Sequence, residues 1–488
     1  MTKKEELKIP SNKTKIICTI GPASRSIKTL EKLVENGMTI ARLNFSHGTF
    51  EDHKKDIENI RKIENKKKIR IPKLIDLPGS KIRIGNLKKE PTILKEGGKI
   101  VLTNKSDIFG DENIIPVNYK KLHQSVKKGS KIFLNDGFIE LKVEEIINED
   151  VKCKIITGGV LLSKKGINLP KAKLFKETIS KKDLEIIDYG LKNNVFIYCL
   201  SFIRDKNDII KVRKYAEKKG SKIFIIVKIE RYDAVKNFDE ILKYADGVMI
   251  ARGDLGIEIP IEDVPTVQKK LIKKANIAAK PVITATQMLN SMTNHTKPTR
   301  AEVTDVANAI LDGTDAIMLS EETAIGKNPV ESVKIMSKIA SSTENKRNGN
   351  GLACKFRDHF FDNVKHEKMS IADVISLNVI EASKILNSKL ILTTTQTGLT
   401  ARLISRFKPD CWNISFTSNK KTLDFLYFSF GVFPIYLDNK KKSWHDLILK
   451  YIKEKGLVKN DDLVLLTQRR FGEPKDGTDS FGIIKIKK

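Results

Sequence analysis

An α/β protein is predicted: a closed (β/α)8 barrel interrupted by a small inserted β lid and followed by a separate C-terminal α/β domain. Three features of the 488-residue sequence predict it. Eight short Ile- and Val-rich runs alternate with helical patterns between Thr14 and about residue 345, and eight βα units are the number that closes a parallel sheet on itself. That rhythm breaks once, over about 84–173, into short runs separated by Gly and Asn-Asp turns such as Asn135-Asp136-Gly137, a pattern of β structure. A Gly/Asn-rich break from Glu344 to Gly351 then precedes a fresh helical pattern, where a domain boundary belongs.

In order, the barrel strands are expected over Lys15 to Ile20, Thr39 to Asn44, Ile71 to Asp76, Val195 to Phe202, Lys222 to Ile229, Gly247 to Ala251, Pro281 to Ala285 and Asp315 to Ser320. The insertion contributes runs such as 97–103 and 131–137. The last domain opens with a helix from Ile371 to Leu386 and continues through strands at Leu390 to Thr394 and Trp412 to Thr417. The boundaries read 1–83 and 174–345 for the barrel, 84–173 for the lid, and 352–488 for the last domain, about three domains as the length implies.

Composition removes several function classes. No apolar run approaches the roughly 18 residues of a membrane span. The N-terminus is charged and lacks an apolar signal core, so a cytoplasmic chain is expected. Five scattered cysteines, at 18, 153, 199, 354 and 411, suit neither a disulfide framework nor a zinc site, and the histidines form no ligand pair. Ninety basic against sixty acidic side chains give a net +30. The lysines are spread in short runs without interleaved aromatics, which reads as solvated faces and not as a dedicated nucleic-acid site.

The most informative stretch is Ile226-Val227-Lys228-Ile229-Glu230, followed by Met249-Ile250-Ala251-Arg252-Gly253-Asp254-Leu255-Gly256. Strand side chains alternate, so Lys228 and Glu230 share one face, and Asp254 stands at a strand-to-helix turn. Two carboxylates and an ammonium can hold a divalent cation and neutralise an anion that develops beside it, the equipment of phosphoryl-transfer or enolate chemistry. From these residues alone, a salt bridge at the barrel mouth is the competing explanation.

Read together with Thr14-Lys15-Ile16-Ile17-Cys18-Thr19-Ile20-Gly21-Pro22-Ala23, with Ala41 to Gly48, with Thr284-Ala285-Thr286-Gln287-Met288-Leu289 and with Lys297 to Asn308, these motifs resemble the pyruvate kinase family over nearly the whole chain. The family's barrel, inserted β-barrel lid and C-terminal α/β regulatory domain match the segmentation above. The resemblance implies Mg²⁺-dependent phosphoryl transfer from phosphoenolpyruvate to ADP, giving pyruvate and ATP, with Mn²⁺ able to substitute, and a homotetramer. It makes Glu230 and Asp254 the Mg²⁺ ligands and Lys228 the stabiliser of transition-state charge. Gly253, Asp254 and Thr286 would take the substrate carboxylate, Arg42 its phosphate, and Ser320 would belong to the chain that protonates the enolate. Asn44, Arg83 and Lys165 would meet the nucleotide. Without the family frame, Arg42-Leu43-Asn44-Phe45-Ser46 reads as a surface turn and Lys164-Lys165-Gly166 as a solvated one.

One departure is clear. Most relatives read Asp-Thr-Lys-Gly-Pro-Glu-Ile-Arg after the third strand and hold an activating K⁺ on the positions that match Asn44, Ser46, Asp76 and Leu77. Here the text is Asp76-Leu77-Pro78-Gly79-Ser80-Lys81-Ile82-Arg83. A tethered ammonium at Lys81 can supply the charge of the ion, and the family branch with lysine here is generally K⁺-independent. In the last domain, Thr395, Thr397, Gly398 and Thr400 lie where the family places a sugar-phosphate effector, and Leu399 replaces the usual arginine. A nucleotide effector, or a capped turn without ligand, stays open. Two other classes compete: barrel aldolases and mutases, which share the acid pair but need no nucleotide lid, and a basic nucleic-acid-binding protein of barrel descent, for which only the net charge speaks.

Overall fold

Runs of β-branched residues build the first eight parallel strands, and in the computed structural model these close into one barrel in strict sequential order, the first strand lying beside the eighth. The structure describes residues 7–105, 107–175, 177–346, 369–438, 444–468 and 478–487. The barrel strands are Lys15–Thr19, Ile40–Asn44, Lys73–Asp76, Ile197–Leu200, Phe224–Ile229, Gly247–Ala251, Val282–Ala285 and Ala316–Leu319, each inside or within two residues of its predicted run. Sequence-local signals set the intervening helices: Thr49, Ser180 and Thr299 each close a capping box at a helix start.

The strands divide their side chains between two cores. Ile16, Leu43, Ile75, Val227 and Ile250 face the helical jacket, whereas Ile17, Ile40, Leu74, Ile226, Met249 and Met318 fill the barrel interior. Phe425 and Phe428 of the C-terminal domain join this inner core, and the ring of Phe425 stacks on Phe224 at 4.2 Å and 5°. That packing covers the barrel floor and leaves the opposite, C-terminal rim for chemistry.

The inserted segment is a seven-stranded sheet in the order Ile82–Arg83, Gly166–Asn168, Lys131–Leu134, Ile139–Ile147, Asp150–Thr157, Lys99–Thr103, Ile114–Pro116, with a two-stranded pair beside it. A bridge from Ile84 to Val117 joins its two edges, so the sheet curls onto itself. It begins at Ile82, two residues ahead of the expected boundary. The last domain has a helix at Ile371–Ile385 and a five-stranded sheet ending in the antiparallel strand Ser480–Lys485. The Gly/Asn-rich break, the boundary near 352 and Cys354 lie outside the described residues. Cys18, Cys153 and Cys199 are buried free thiols and Cys411 is half-buried and free. Among the described residues, no helix is long and apolar enough to cross a membrane.

Ion pairs reinforce the seam between barrel and C-terminal domain. Arg70 grips Asp424 bidentately at 2.6 Å and 2.6 Å, and the fully buried Lys408 pairs with Asp315 at 2.7 Å. Lys15 is buried there too, donating to the Val432 carbonyl at 2.7 Å with its ammonium over the Trp412 ring. Burial pushes its pKa down to about 7, against the pull of Glu344 and Asp315. The folded value lies below the unfolded one, so between about pH 7 and pH 10 the unfolded chain binds more protons and this group makes stability rise with pH. Urea unfolding across that range should show a rise that Lys15→Met removes.

Candidate active site

The predicted side chains converge at the C-terminal rim of the barrel. The centre is Asp76, at the end of the third strand and almost fully buried. Its Oδ2 accepts from Arg42 Nε at 2.8 Å and from a second guanidinium nitrogen at 2.6 Å. Its Oδ1 lies 3.5 Å from Lys228 Nζ and accepts from Ser201 Oγ at 3.2 Å. Lys228 also reaches Ser201 Oγ at 3.0 Å and Glu230 Oε1 at 2.8 Å. The period-two reading therefore holds, since one ammonium touches carboxylates from two strands.

Burial works against every charge here, and the partners decide the outcome. Asp76 is desolvated, yet Lys228 and Arg42 hold its carboxyl below the usual carboxylate range. Lys228 is likewise desolvated, yet Asp76 and Glu230 keep it firmly protonated, its pKa raised. Glu230 goes the other way: burial pushes it up, Lys228 pulls against that, and the neighbouring charge of Asp254 adds to the rise. Its Oε2 accepts from the Phe202 amide at 2.8 Å. Its Oε1 is buried and, apart from the ion pair with Lys228, accepts no hydrogen bond of good geometry. A buried carboxylate close enough to feel the charge of Asp254, with an oxygen bonded to nothing but one ammonium, suits a hard divalent cation such as Mg²⁺. Among the described residues no group of three or more His, Cys, Asp or Glu gathers as a metal cluster, so such an ion would rest on these two carboxylates, substrate oxygens and water.

Asp254 opens the short helix Arg252–Glu258 and pairs with Lys81, Nζ to Oδ1, at 2.8 Å. Lys81 also lies 3.5 Å from Asp136 of the lid. Its ion pairs are thus with Asp254 and Asp136, whereas Asp76 of the expected monovalent-cation set is taken by Arg42 and Lys228. Asn44 Oδ1 accepts from the Ser46 amide at 3.2 Å in a turn of its own, and the Leu77 amide donates to the Cys199 carbonyl.

Two of the three residues read as carboxylate binders meet directly: the Gly253 amide donates to Thr286 Oγ1 at 2.9 Å, and Thr286 Oγ1 donates to the Ala285 carbonyl at 2.6 Å. Thr286 and Gln287 have φ of 70° and 54°, a backbone cost that concentrates at functional sites. Arg252, which sequence reasoning passed over, holds this kink by donating to the Thr286 carbonyl at 2.7 Å and pairing with Asp305 at 2.7 Å. Ser320 ends the eighth strand half-buried, its amide donating to Glu322 at 2.7 Å. Arg83 and Lys165 come together at the lid base: Arg83 pairs in register with Gly166 and donates to the Lys164 carbonyl at 2.9 Å.

The loop of the last domain is tied to itself. Thr395 Oγ1 accepts from the Gly398 amide at 2.8 Å, Thr397 Oγ1 from the Leu399 amide at 3.4 Å, and Thr400 shares a hydrogen bond with Thr478. Gly398, with φ of 81°, is required by the backbone of this turn. The helix begins at Leu399, directly after that glycine.

The pyruvate kinase barrel-domain model matches residues 11–333 and the pyruvate kinase alpha/beta-domain model residues 373–484. The chain belongs to the pyruvate kinase family. It is 51% identical over 480 residues to a pyruvate kinase of Thermococcus litoralis, covering 98% of this chain and all of the relative. It is 41% identical over 456 residues to a pyruvate kinase of Thermotoga maritima, covering 93% and 95%. The crystal structure of a pyruvate kinase from Cryptosporidium parvum superposes with a TM-score of 0.91 at 35% identity over 97% of this chain and 96% of that one. As a pyruvate kinase, the chain is a glycolytic phosphotransferase with phosphoenolpyruvate and ADP as substrates, and the aldolase, mutase and nucleic-acid-binding alternatives fall away.

Lys228→Met would leave Asp76 and Glu230 buried without their shared cation, an expected loss of about 3–5 kcal/mol. Asp76 would keep Arg42, but Glu230, already pushed up by burial and Asp254, would then bind a proton more readily in the folded chain than in the unfolded one. Urea unfolding should therefore show a smaller loss near about pH 5 than at neutral pH.

Proposed function

We propose that this pyruvate kinase works through the cluster around Asp76, with Lys228 as the residue on which turnover depends. The observation that carries this is the ammonium of Lys228 held between Asp76 and Glu230, protonated and desolvated at the barrel rim. When bound, a divalent ion on Glu230 and Asp254, Mg²⁺ or in its place Mn²⁺, supplies charge against the phosphoryl and enolate oxygens. Lys228 opposes the negative charge that the phosphoryl group and the enolate share as their bond breaks, and a fixed ammonium in a dry site does so without reorganising. Arg42 spends three of its N–H donors on Asp76 and Thr19 and offers the other two to the substrate phosphate. Thr286 and Gly253 orient the substrate carboxylate at the start of the short helix, with Asp254 beside them. Ser320 serves the proton delivered to the enolate carbon. Asn44, Arg83 and Lys165 take the nucleotide phosphates, and closure of the lid carries Lys165 inward and excludes water.

Activity is independent of K⁺ in this reading. The support is that Lys81 brings an ammonium to the acidic rim, while the residues Asn44, Ser46, Asp76 and Leu77 remain as a vestigial monovalent site. A homotetramer in the cytoplasm, and a sugar-phosphate or nucleotide effector at Thr395, Thr397, Gly398 and Thr400, complete the proposal. The effector would have to break the hydrogen bonds that now close that loop.

Pyruvate formation from phosphoenolpyruvate, ADP and Mg²⁺ is expected to run equally in K⁺ and in K⁺-free buffer. Lys228→Met should lower kcat on the order of a thousandfold or more. A strict K⁺ requirement would refute the role of Lys81, and undiminished turnover in the variant would refute that of Lys228.

A further inference from the structure

We propose that Asp136 of the lid is a positioning residue: it receives the Lys81 ammonium when a divalent cation takes Asp254, and so draws the lid onto the barrel mouth. The inference rests on Asp254 being a cation ligand.

Lys81 runs along the seam between two bodies. Its chain passes so close to Gly166 of the lid that a Cβ there would lie 2.5 Å from its Cε. On the barrel side its ammonium stands over the Phe202 ring. The track is therefore confined from both sides, and only the charged end has freedom. That end sits 2.8 Å from Asp254 Oδ1 and 3.5 Å from Asp136 Oδ1. One carboxylate belongs to the barrel and the other to the lid.

The lid holds Asp136 there at a cost. Asn135, Asp136 and Gly137 have φ of 50°, 54° and 92°, and consecutive left-handed residues that are not glycine are unfavourable. The turn is pinned by the Asn135 amide on the Gly166 carbonyl and by Asn135 Nδ2 on the Val160 carbonyl, each at 3.2 Å. Gly137 packs against Ile257, on the same short helix that carries Asp254. A shift at Asp254 is thus felt at the turn.

A dication on Asp254 and an ammonium on the same carboxylate repel each other strongly in a partly buried site. Lys81 must leave Asp254, and its confined track keeps it within reach of Asp136. Closing 3.5 Å to the about 2.8 Å of a charge-assisted hydrogen bond needs a movement below one ångström. The lid sheet, which includes Arg83 and the segment of Lys165, moves with it. Cation binding is in this way coupled to nucleotide capture.

The test uses the full-length enzyme without substrates. Mn²⁺ binding is followed by electron paramagnetic resonance in the wild type, in Asp136→Asn and in Asp254→Asn. Amide hydrogen exchange of 131–138 and 159–168 is measured with and without Mg²⁺. In the wild type the cation should slow exchange in both lid segments. Asp136→Asn should still bind Mn²⁺, roughly two- to fivefold more weakly because the coupling is reciprocal, and unfold at the same temperature, yet lose the slowing. Its KM for ADP should rise roughly two- to fivefold, the worth of a partly exposed ion pair, with kcat less affected. Equal slowing in Asp136→Asn, or a wild-type lid whose exchange is indifferent to bound Mg²⁺, overturns the proposal. Unchanged Mn²⁺ binding in Asp254→Asn instead overturns the cation-ligand assignment, and this inference with it.

Discussion

Asp76 is a buried carboxylate that two cations share, and the rim of the barrel is organised around it. Arg42 comes from the second strand, Asp76 from the third, Ser201 from just past the fourth and Lys228 from the fifth. None of these charges could be buried alone, since an unpaired ion in such a place costs several kcal/mol. Together they are held in one geometry, which is what a reaction with moving charge requires. The remaining imbalance falls on Glu230, pushed up by burial and by Asp254 against the pull of Lys228.

The helix that opens at Arg252 supplies the second half of the rim. Arg252 clamps the left-handed backbone at Thr286, so the hydroxyl of Thr286 and the amide of Gly253 are fixed against each other. The sixth and seventh strands are thereby tied together beyond their paired ends. Rigidity there comes from hydrogen bonds to backbone carbonyls, which do not compete with the charged cluster across the mouth.

Much of this was legible before any coordinates. Eight continuous β-branched runs located all eight barrel strands, because burial on both faces of a parallel strand leaves a continuous apolar run. Alternation likewise placed Lys228 and Glu230 on one face. What stayed hidden were partners far apart in the chain. Nothing local says that Lys81 meets Asp136 and Asp254, or that Asp76 is shared by Arg42 and Lys228. Arg252 was quoted and passed over, since an arginine before Gly-Asp looks like rim charge until its carbonyl partners are seen. The only local hint to Asp136 was the Asn-Asp-Gly turn, which was read as a hairpin signal and not as a charged tip.

The floor of the barrel has a consequence for how the molecule comes into being. The first strand finds its neighbour only when Ala316–Leu319 exists, and the inner core is sealed only when Phe425 and Phe428 arrive from the last domain. During synthesis the first strand waits, with both faces apolar, while about three hundred residues are added before its partner strand appears, and more than four hundred before Phe425 and Phe428 do. The ring therefore cannot close from its first strands as they emerge, and its inner core is sealed only once the last domain has been made. The lid, whose strands lie within one continuous stretch, is under no such delay and can form while the barrel around its base is still open.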